Sequence, residues 1–333
     1  MSDQTDAVVD RYGRFARDEA PGRSALYEEW ARGIAEDRRV AALIARIRDT
    51  RRQPPLVFAV SRLLGAPESG FASWAEWVRA HIEDLVVGCE SRSIQTNEPL
   101  RCAALLPALS AVDGPIALLE VGASAGLCLY PDRYSYRYEA PDGVVAVDPA
   151  GGESPVLLRA SWRGNMPRLR LPEVVWRAGI DLNPLDPRDT ATRRWLTALV
   201  WPGESGRAER IERSLDIAAA DPPLLRAADA ADGAIGELAA LAPTGATLVV
   251  TTPGVLAHVP RARRGLVIDA ARAAGTWITL DDPGLHDGWN APIDPATWPA
   301  GRFALSRDGE VLAAVDPLGG FVEWRADAAA SAS

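Results

Sequence analysis

From residue 116 the chain changes rhythm, and the second rhythm is what most constrains its fold. Short apolar runs occur at 116–121 (IALLEV), 174–180 (VVWRAGI), 224–229 (LLRAAD), 247–252 (TLVVTT) and 276–281 (TWITLD). Between them lie stretches with helical spacing near 190–200, 207–219, 232–241 and 261–274. Strand alternating with helix requires right-handed crossovers and a mostly parallel sheet covered on both faces. The series ends differently: RFALSRDGEVLAAVD sets Asp308-Gly309 between two alternating runs, which reads as a terminal antiparallel hairpin. Residues 132–170, rich in Pro, Gly and aromatic residues, interrupt the series and read as an inserted hairpin or lid.

The preceding residues carry a helical period. Val8, Tyr12 and Phe15 share a face, as do Leu26, Trp30 and Ile34, and then Val40, Leu43, Ile44 and Ile47. SWAEWVRAHIEDLVV places Ser73 as an N-cap and turns Trp74, Val78, Ile82 and Leu85 inward. The expected organisation is an all-helical N-terminal cap domain over 1–110 and an α/β domain over 111–325. A small polar tail over 326–333 is expected to fray.

Composition narrows the function classes. A net charge of −9 disfavours nucleic acid as the main partner, because a phosphate backbone demands a basic footprint. The chain has no lysine, so Schiff-base, P-loop and Ser-Lys chemistry are excluded. Cys89, Cys102 and Cys128 form an odd, scattered set, which points to reduced thiols. No run reaches the roughly 18 apolar residues of a membrane span, and the opening residues have no apolar signal core, so a cytoplasmic home is expected.

IALLEVGASAGLCLYPDRYSY, 116–136, reads as a strand, a glycine-bearing turn and the start of a helix. Gly122-Ala123-Ser124-Ala125-Gly126 satisfies G-x-S-x-G, so Ser124, then Asp269 or Asp282, then His286 give a possible order for a hydrolase triad. Helices rather than strands precede this turn, no His-Gly oxyanion loop precedes Ser124, and Glu120 has no evident task in such an elbow. A dinucleotide turn wants G-x-G-x-x-G, which the spacing does not give. The run Glu120-Val121-Gly122-Ala123-Ser124-Ala125-Gly126 instead resembles the acid-x-G-x-G-x-G turn of methyltransferases, with Ser124 at the middle glycine. Its glycines let backbone approach a ligand closely. Glu120 then faces the cationic amino-acid end of adenosylmethionine. GIDLNP, at the end of the second strand, resembles the ribose-binding segment of the same enzymes, with Asp181 the candidate carboxylate and Asp186 second. The separation, 181 − 126 = 55, exceeds the about 20 residues usual in nucleotide folds, and the insertion accounts for the excess. Asp229, after the third strand, is the candidate for the adenine amino group.

Glu120 to Tyr136, together with TNEPLRCAALLPAL (96–109), RAGIDLNPLDPRD (177–189) and RWLTALVWPGESGRAERIERSL (194–215), resembles the bacterial family catalogued as domain of unknown function 2332. Cys128 stands where that family is expected to carry asparagine. The resemblance implies a Rossmann-like methyltransferase fold. The activity it implies is adenosylmethionine-dependent methyl transfer to a small molecule.

Further candidates follow from position. Asn97, Glu98 and Arg101 in TNEPLR face the cofactor carboxylate or the substrate, or else the segment caps the next helix, with Thr96 or Asn97 as the cap, Pro99 in the first turn and Glu98 near the positive end of the dipole. Arg133 and Tyr134 wall a substrate pocket, or Tyr134, Tyr136 and Tyr138 form one packed strand face. His258 after the fourth strand is a candidate base, as is His286, which shares with Asp282 a loop able to close over the pocket. TTPGVLAHV lacks the Asn/Asp-Pro-Pro-Tyr pattern, which weakens N-methylation. Two other readings stay open: a binding protein that keeps the fold without turnover, and a serine hydrolase using Ser124.

Overall fold

In the computed structural model, which describes residues 2–326, the helical period yields α1 (Ser2–Asp18), α2 (Ala25–Glu36), α3 (Arg38–Ile44), α4 (Pro54–Leu63) and α5 (Phe71–Glu90). The faces read from the spacing are the buried ones, including Tyr12, Phe15, Trp30, Ile34, Val40 and Trp74. Trp30 stacks on Trp74 at 5.2 Å, and Phe58 meets Tyr27 at 4.8 Å. Burying an indole strands its N–H unless a partner is supplied. Trp74 donates to Ser61 Oγ at 2.9 Å and Trp30 to the Ser69 carbonyl at 2.8 Å. Ser73 is not the N-cap of α5. The helix begins two residues earlier, and Glu29 accepts the Phe71 N–H at 2.8 Å in place of a local cap.

The second half contains α6 (Arg101–Ser110), β1 (Pro115–Val121), β2 (Ser135–Ala140), β3 (Gly143–Val147), β4 (Leu157–Arg163) and β5 (Glu173–Asp181). Then come α7 (Thr190–Ala198), α8 (Arg207–Ala220), β6 (Leu224–Ala227), α9 (Ala234–Ala239), β7 (Thr247–Pro253) and α10 (Arg261–Ala274). The series closes with β8 (Thr276–Asp281), β9 (Phe303–Arg307), β10 (Glu310–Val315) and β11 (Phe321–Trp324). By packing, the chain forms two compact units. One holds the residues up to 96 together with 189–212, and the other holds 97–188 with those from 213 on. The packing division therefore differs from the sequence boundary at 110. Every residue of α6 from Cys102 to Ser110 is buried, and the helix packs on β4, β8 and β9. Trp201, expected as a packing residue, lies within the helical unit against Phe15 and Tyr27.

Eleven strands among the described residues form one sheet, in the order β3-β2-β4-β11-β10-β9-β8-β7-β1-β5-β6. The block β6-β5-β1-β7-β8 is parallel throughout. The Asp308-Gly309 turn forms with φ of 51° and 86°, joining antiparallel β9 and β10. Of the two readings of the insertion, the hairpin is the one present: β2 and β3 pair antiparallel, and with β4 they lengthen the sheet beyond β11. Leu119, Val121, Ile180, Val250 and Trp277 bury one face of the central strands against α9 and α10. Alternation turns Glu120 to the opposite face, where α6 packs. From β1 the chain moves out to β5 and β6, then returns to lay β7 on the other side of β1. Open α/β sheets bind ligands at the carboxyl edge of such a reversal. Of the tail expected to fray, residues 327–333 lie outside the described residues.

Candidate functional site

The Gly122–Gly126 turn sits at that edge, and its backbone is closed on itself. Gly122 and Ala123 N–H both donate to the Ile180 carbonyl, at 2.8 and 3.1 Å. Ser124 N–H donates to Asp181 Oδ2 at 2.8 Å, Ala125 N–H to Asn97 Oδ1 at 3.1 Å, and Gly126 N–H to the Ala123 carbonyl at 2.6 Å. Ser124 and Asn97 are both non-glycine residues in the left-handed region, at φ 51° and 37°. Each such residue costs on the order of 1–3 kcal/mol and persists only where its surroundings hold it. Here they hold each other, because Asn97 Nδ2 also donates to Ser124 Oγ. Gly122 and Gly126 take φ of 76° and 75°; a Cβ on Gly122 would stand 2.4 Å from Val255, and one on Gly126 would stand 2.9 Å from Pro223. These glycines are required by the protein's own packing. The expected helix after the turn is a single 3-10 turn, Leu127–Leu129, ending just before Pro131.

Asp181 lies at the turn despite the long separation in sequence. Its Oδ2 holds Ser124 N–H, and its Oδ1 accepts Asn183 N–H at 2.8 Å. Gly179 permits the approach, since a Cβ there would lie 2.4 Å from Ala123.

Glu120 is the unsatisfied member. It is 4% exposed, and its Oε2 has no hydrogen-bond partner among the described residues. Burial pushes its carboxyl well above the usual range, the neighbouring Cys128 thiol adds to the rise, Arg101 opposes it, and Asp181 adds further. Arg101 is held at the same edge by two carbonyls: Nε donates to Pro317 at 3.0 Å and one terminal nitrogen to Pro253 at 2.9 Å. Its other terminal nitrogen lies beside Gly254. No carboxylate lies within ion-pair distance of Arg101 among the described residues. Cys128 Sγ donates to the Glu98 carbonyl at 3.5 Å, and its contacts and burial push the thiol pKa well up, so it is not a nucleophile as placed.

The other candidates disperse. Asp229 caps a 3-10 turn by accepting Ala231 N–H at 2.9 Å and pairs with Arg263 at 3.0 Å. Asp186 pairs with Arg188 at 2.8 Å. Asp282 is exposed and accepts Gly284 N–H at 2.9 Å. Tyr134 is fully buried and donates to the Leu127 carbonyl at 2.6 Å, so it packs and does not wall a pocket. Arg133 is exposed at a separate cavity. His258 is exposed in a 3-10 turn after β7.

His286 belongs to a second buried polar group. Trp277 Nε1 donates to Thr252 Oγ1 at 2.9 Å, Thr252 to Thr279 Oγ1 at 2.7 Å, and Thr279 to Asp281 Oδ2. His286 Nε2 stands 3.8 Å from that same oxygen, while its Nδ1 accepts Gly288 N–H at 3.0 Å. Both ring nitrogens are thus directed into the protein. Sequence reading missed Thr252, Thr279 and Val255. Of these only Thr279 left a signal, the i, i+2 spacing that puts it on one strand face with Asp281.

Residues 9–324 match the family model described as "Uncharacterized protein conserved in bacteria (DUF2332)". The chain belongs to that family. No curated protein matches it. No described helix is long and apolar enough to cross a membrane.

Proposed function

We propose that this chain binds adenosylmethionine at the carboxyl edge between β1 and β7 and transfers a methyl group to a small molecule. The observation that carries the reading is the pairing of opposites at that edge: a buried Glu120 oxygen with no donor, and an Arg101 guanidinium with no carboxylate. One ligand answers both, namely a zwitterionic amino-acid end, with its ammonium on Glu120 and its carboxylate on Arg101. Adenosylmethionine, when bound, supplies a methyl group already activated on a sulfonium. The short 3-10 turn after Gly126 accords with a cationic ligand, which gains nothing from the positive end of a helix dipole. Asp181 keeps a second lone pair on each oxygen after holding Ser124 and Asn183, enough to accept a ribose diol. The strand order β6-β5-β1-β7-β8, read as a Rossmann-like methyltransferase sheet, supports the same assignment. The work left to these residues is alignment and exclusion of water, which contribute up to about 7–11 kcal/mol in favourable cases.

Titration calorimetry with adenosylmethionine tests the reading, with saturable binding expected. Absence of heat at millimolar ligand would overturn it. Binding with no methyl transfer to any acceptor would favour a non-catalytic relative. A serine-hydrolase reading draws on one observation, the left-handed backbone at Ser124. It is opposed by the Asn97 amide on Ser124 Oγ and by the engagement of His286 with Asp281 and Gly288. Labelling of Ser124 by a fluorophosphonate would restore it.

A further inference from the structure

β3 carries the sequence of an interior strand at the outermost place in the sheet. It pairs only with β2, in unbroken register, and begins the strand order, so its other edge is unpaired among the described residues. Gly143-Val144-Val145-Ala146-Val147 has no charged or polar side chain. Register sets Val145 and Val147 on the face of Tyr138 and Tyr136, and Val144 and Ala146 on the opposite face with Glu139 and Arg137. Both faces of the strand are therefore apolar, the pattern of a strand covered on both sides. Yet Val144 is 59% exposed and Val145 39%. An edge strand turns the N–H and C=O of alternate residues outward, and proteins usually blunt such an edge with a charge, a proline or a bulge. None of these interrupts β3.

The charge around this edge is negative. Asp142 and Asp148 bracket the strand, about 20 Å apart at roughly 3.3 Å per residue. Glu139 stands beside Val144 on β2. Asp142 and Glu139 are exposed and have no ion-pair partner among the described residues. Arg137 is engaged by Asp148 at 2.8 Å and by Glu153 at 2.5 Å, and Arg159 lies one strand further in, opposite Arg137. No cation occurs between Ala140 and Asp148. A second copy is a poor occupant. Antiparallel pairing of two β3 strands about Val145 sets Asp142 of one copy against Asp148 of the other, and it joins two chains of net charge −9.

We infer that the outer edge of β3 is a docking site for an extended polypeptide segment that is apolar along its length and carries arginine or lysine at its ends. Its backbone completes the ladder, its apolar side chains cover Val144 and Val145, and its cations meet Asp142, Asp148 and Glu139. The inference does not depend on methyl transfer.

Fluorescence anisotropy on the full chain, with labelled Arg-Val-Thr-Val-Thr-Val-Arg as the probe, tests it. Saturable binding is expected, weakening as salt is raised. The same peptide with glutamate at both ends is expected to bind roughly tenfold more weakly, because repulsion replaces attraction. N-methylation of the three central residues removes backbone donors and keeps the charge, and is expected to weaken binding roughly tenfold or more. Val144→Lys, at an exposed position, is expected to weaken binding to a similar degree, and Asp142→Asn about two- to fivefold. Glu120→Gln is expected to leave it intact, which separates this edge from the proposed cofactor site. Equal binding of the arginine- and glutamate-ended peptides, full affinity after N-methylation, unchanged affinity in Val144→Lys, or no binding at about 1 mM probe would each overturn the assignment. A dimer of the peptide-free chain that Val144→Lys dissolves would overturn it in favour of self-pairing.

Discussion

Two strands of the same sheet end in buried acids, and the acids are treated differently. Asp281, at the end of β8, is wholly buried, yet a chain of donors runs toward it from Trp277 through Thr252 and Thr279, with His286 beside it. Burial raises its carboxyl pKa, and the His286 and Thr279 contacts oppose the rise. Each acid keeps one oxygen that meets no donor among the described residues, Asp281 Oδ1 and Glu120 Oε2, but no comparable chain of donors reaches Glu120, at the end of β1. A buried carboxyl that receives no donor from the fold is costly, and a ligand that supplies one relieves that cost. The protein gives Asp281 one hydroxyl donor and a neighbouring imidazole, and on our reading a ligand supplies what Glu120 lacks.

That contrast can be broken at either end. Removing Asp281 takes away the acceptor at the end of the Trp277–Thr252–Thr279 chain. Asp281→Ala is expected to cost about 3–5 kcal/mol in chemical denaturation while leaving adenosylmethionine affinity within about threefold. Glu120→Gln is expected to do the reverse, lowering affinity roughly ten- to a hundredfold by calorimetry. Its effect on stability depends on pH. In the folded chain Glu120 keeps its proton to higher pH than in the unfolded chain, so the folded state loses stability as pH rises from the unfolded value, about 4.3, through the raised one. The variant is therefore expected to melt with the parent near pH 4 and above it at pH 8. A lower melting temperature at pH 8 would contradict the assignment.

Smaller effects sharpen the comparison. Asn97→Ala removes the amide that spans Ser124 and Ala125, and is expected to cost about 1–2 kcal/mol and to weaken cofactor binding as the turn relaxes. His258→Ala, at an exposed position, is expected to change stability by no more than about 0.5 kcal/mol and to leave turnover unaltered.

The five parallel strands were legible because each apolar run is short and set off by Gly or Pro, and the Asp308-Gly309 hairpin because its turn demands positive φ; β4 and β11 were not. The place of α6 was not legible. A helix buried from Cys102 to Ser110 shows no polar face, so its period cannot say which layer it joins. The acids at the strand ends could be named from local pattern, and Asp181 does reach the turn. The closure of that turn could not, because Asn97 and Val255 come to it from distant segments. Asp229 and His286 were named for their positions after strands. Their actual partners, Arg263 and Asp281, depend on side-chain geometry that spacing does not encode.

The most direct test of Glu120 as the acid completed by ligand is the proton it gives up. Calorimetry with adenosylmethionine near pH 6, repeated in buffers of different ionisation enthalpy, is expected to show a proton released on binding by the parent chain and none by Glu120→Gln. Binding with no proton released, or with the same release from the variant, would contradict the account.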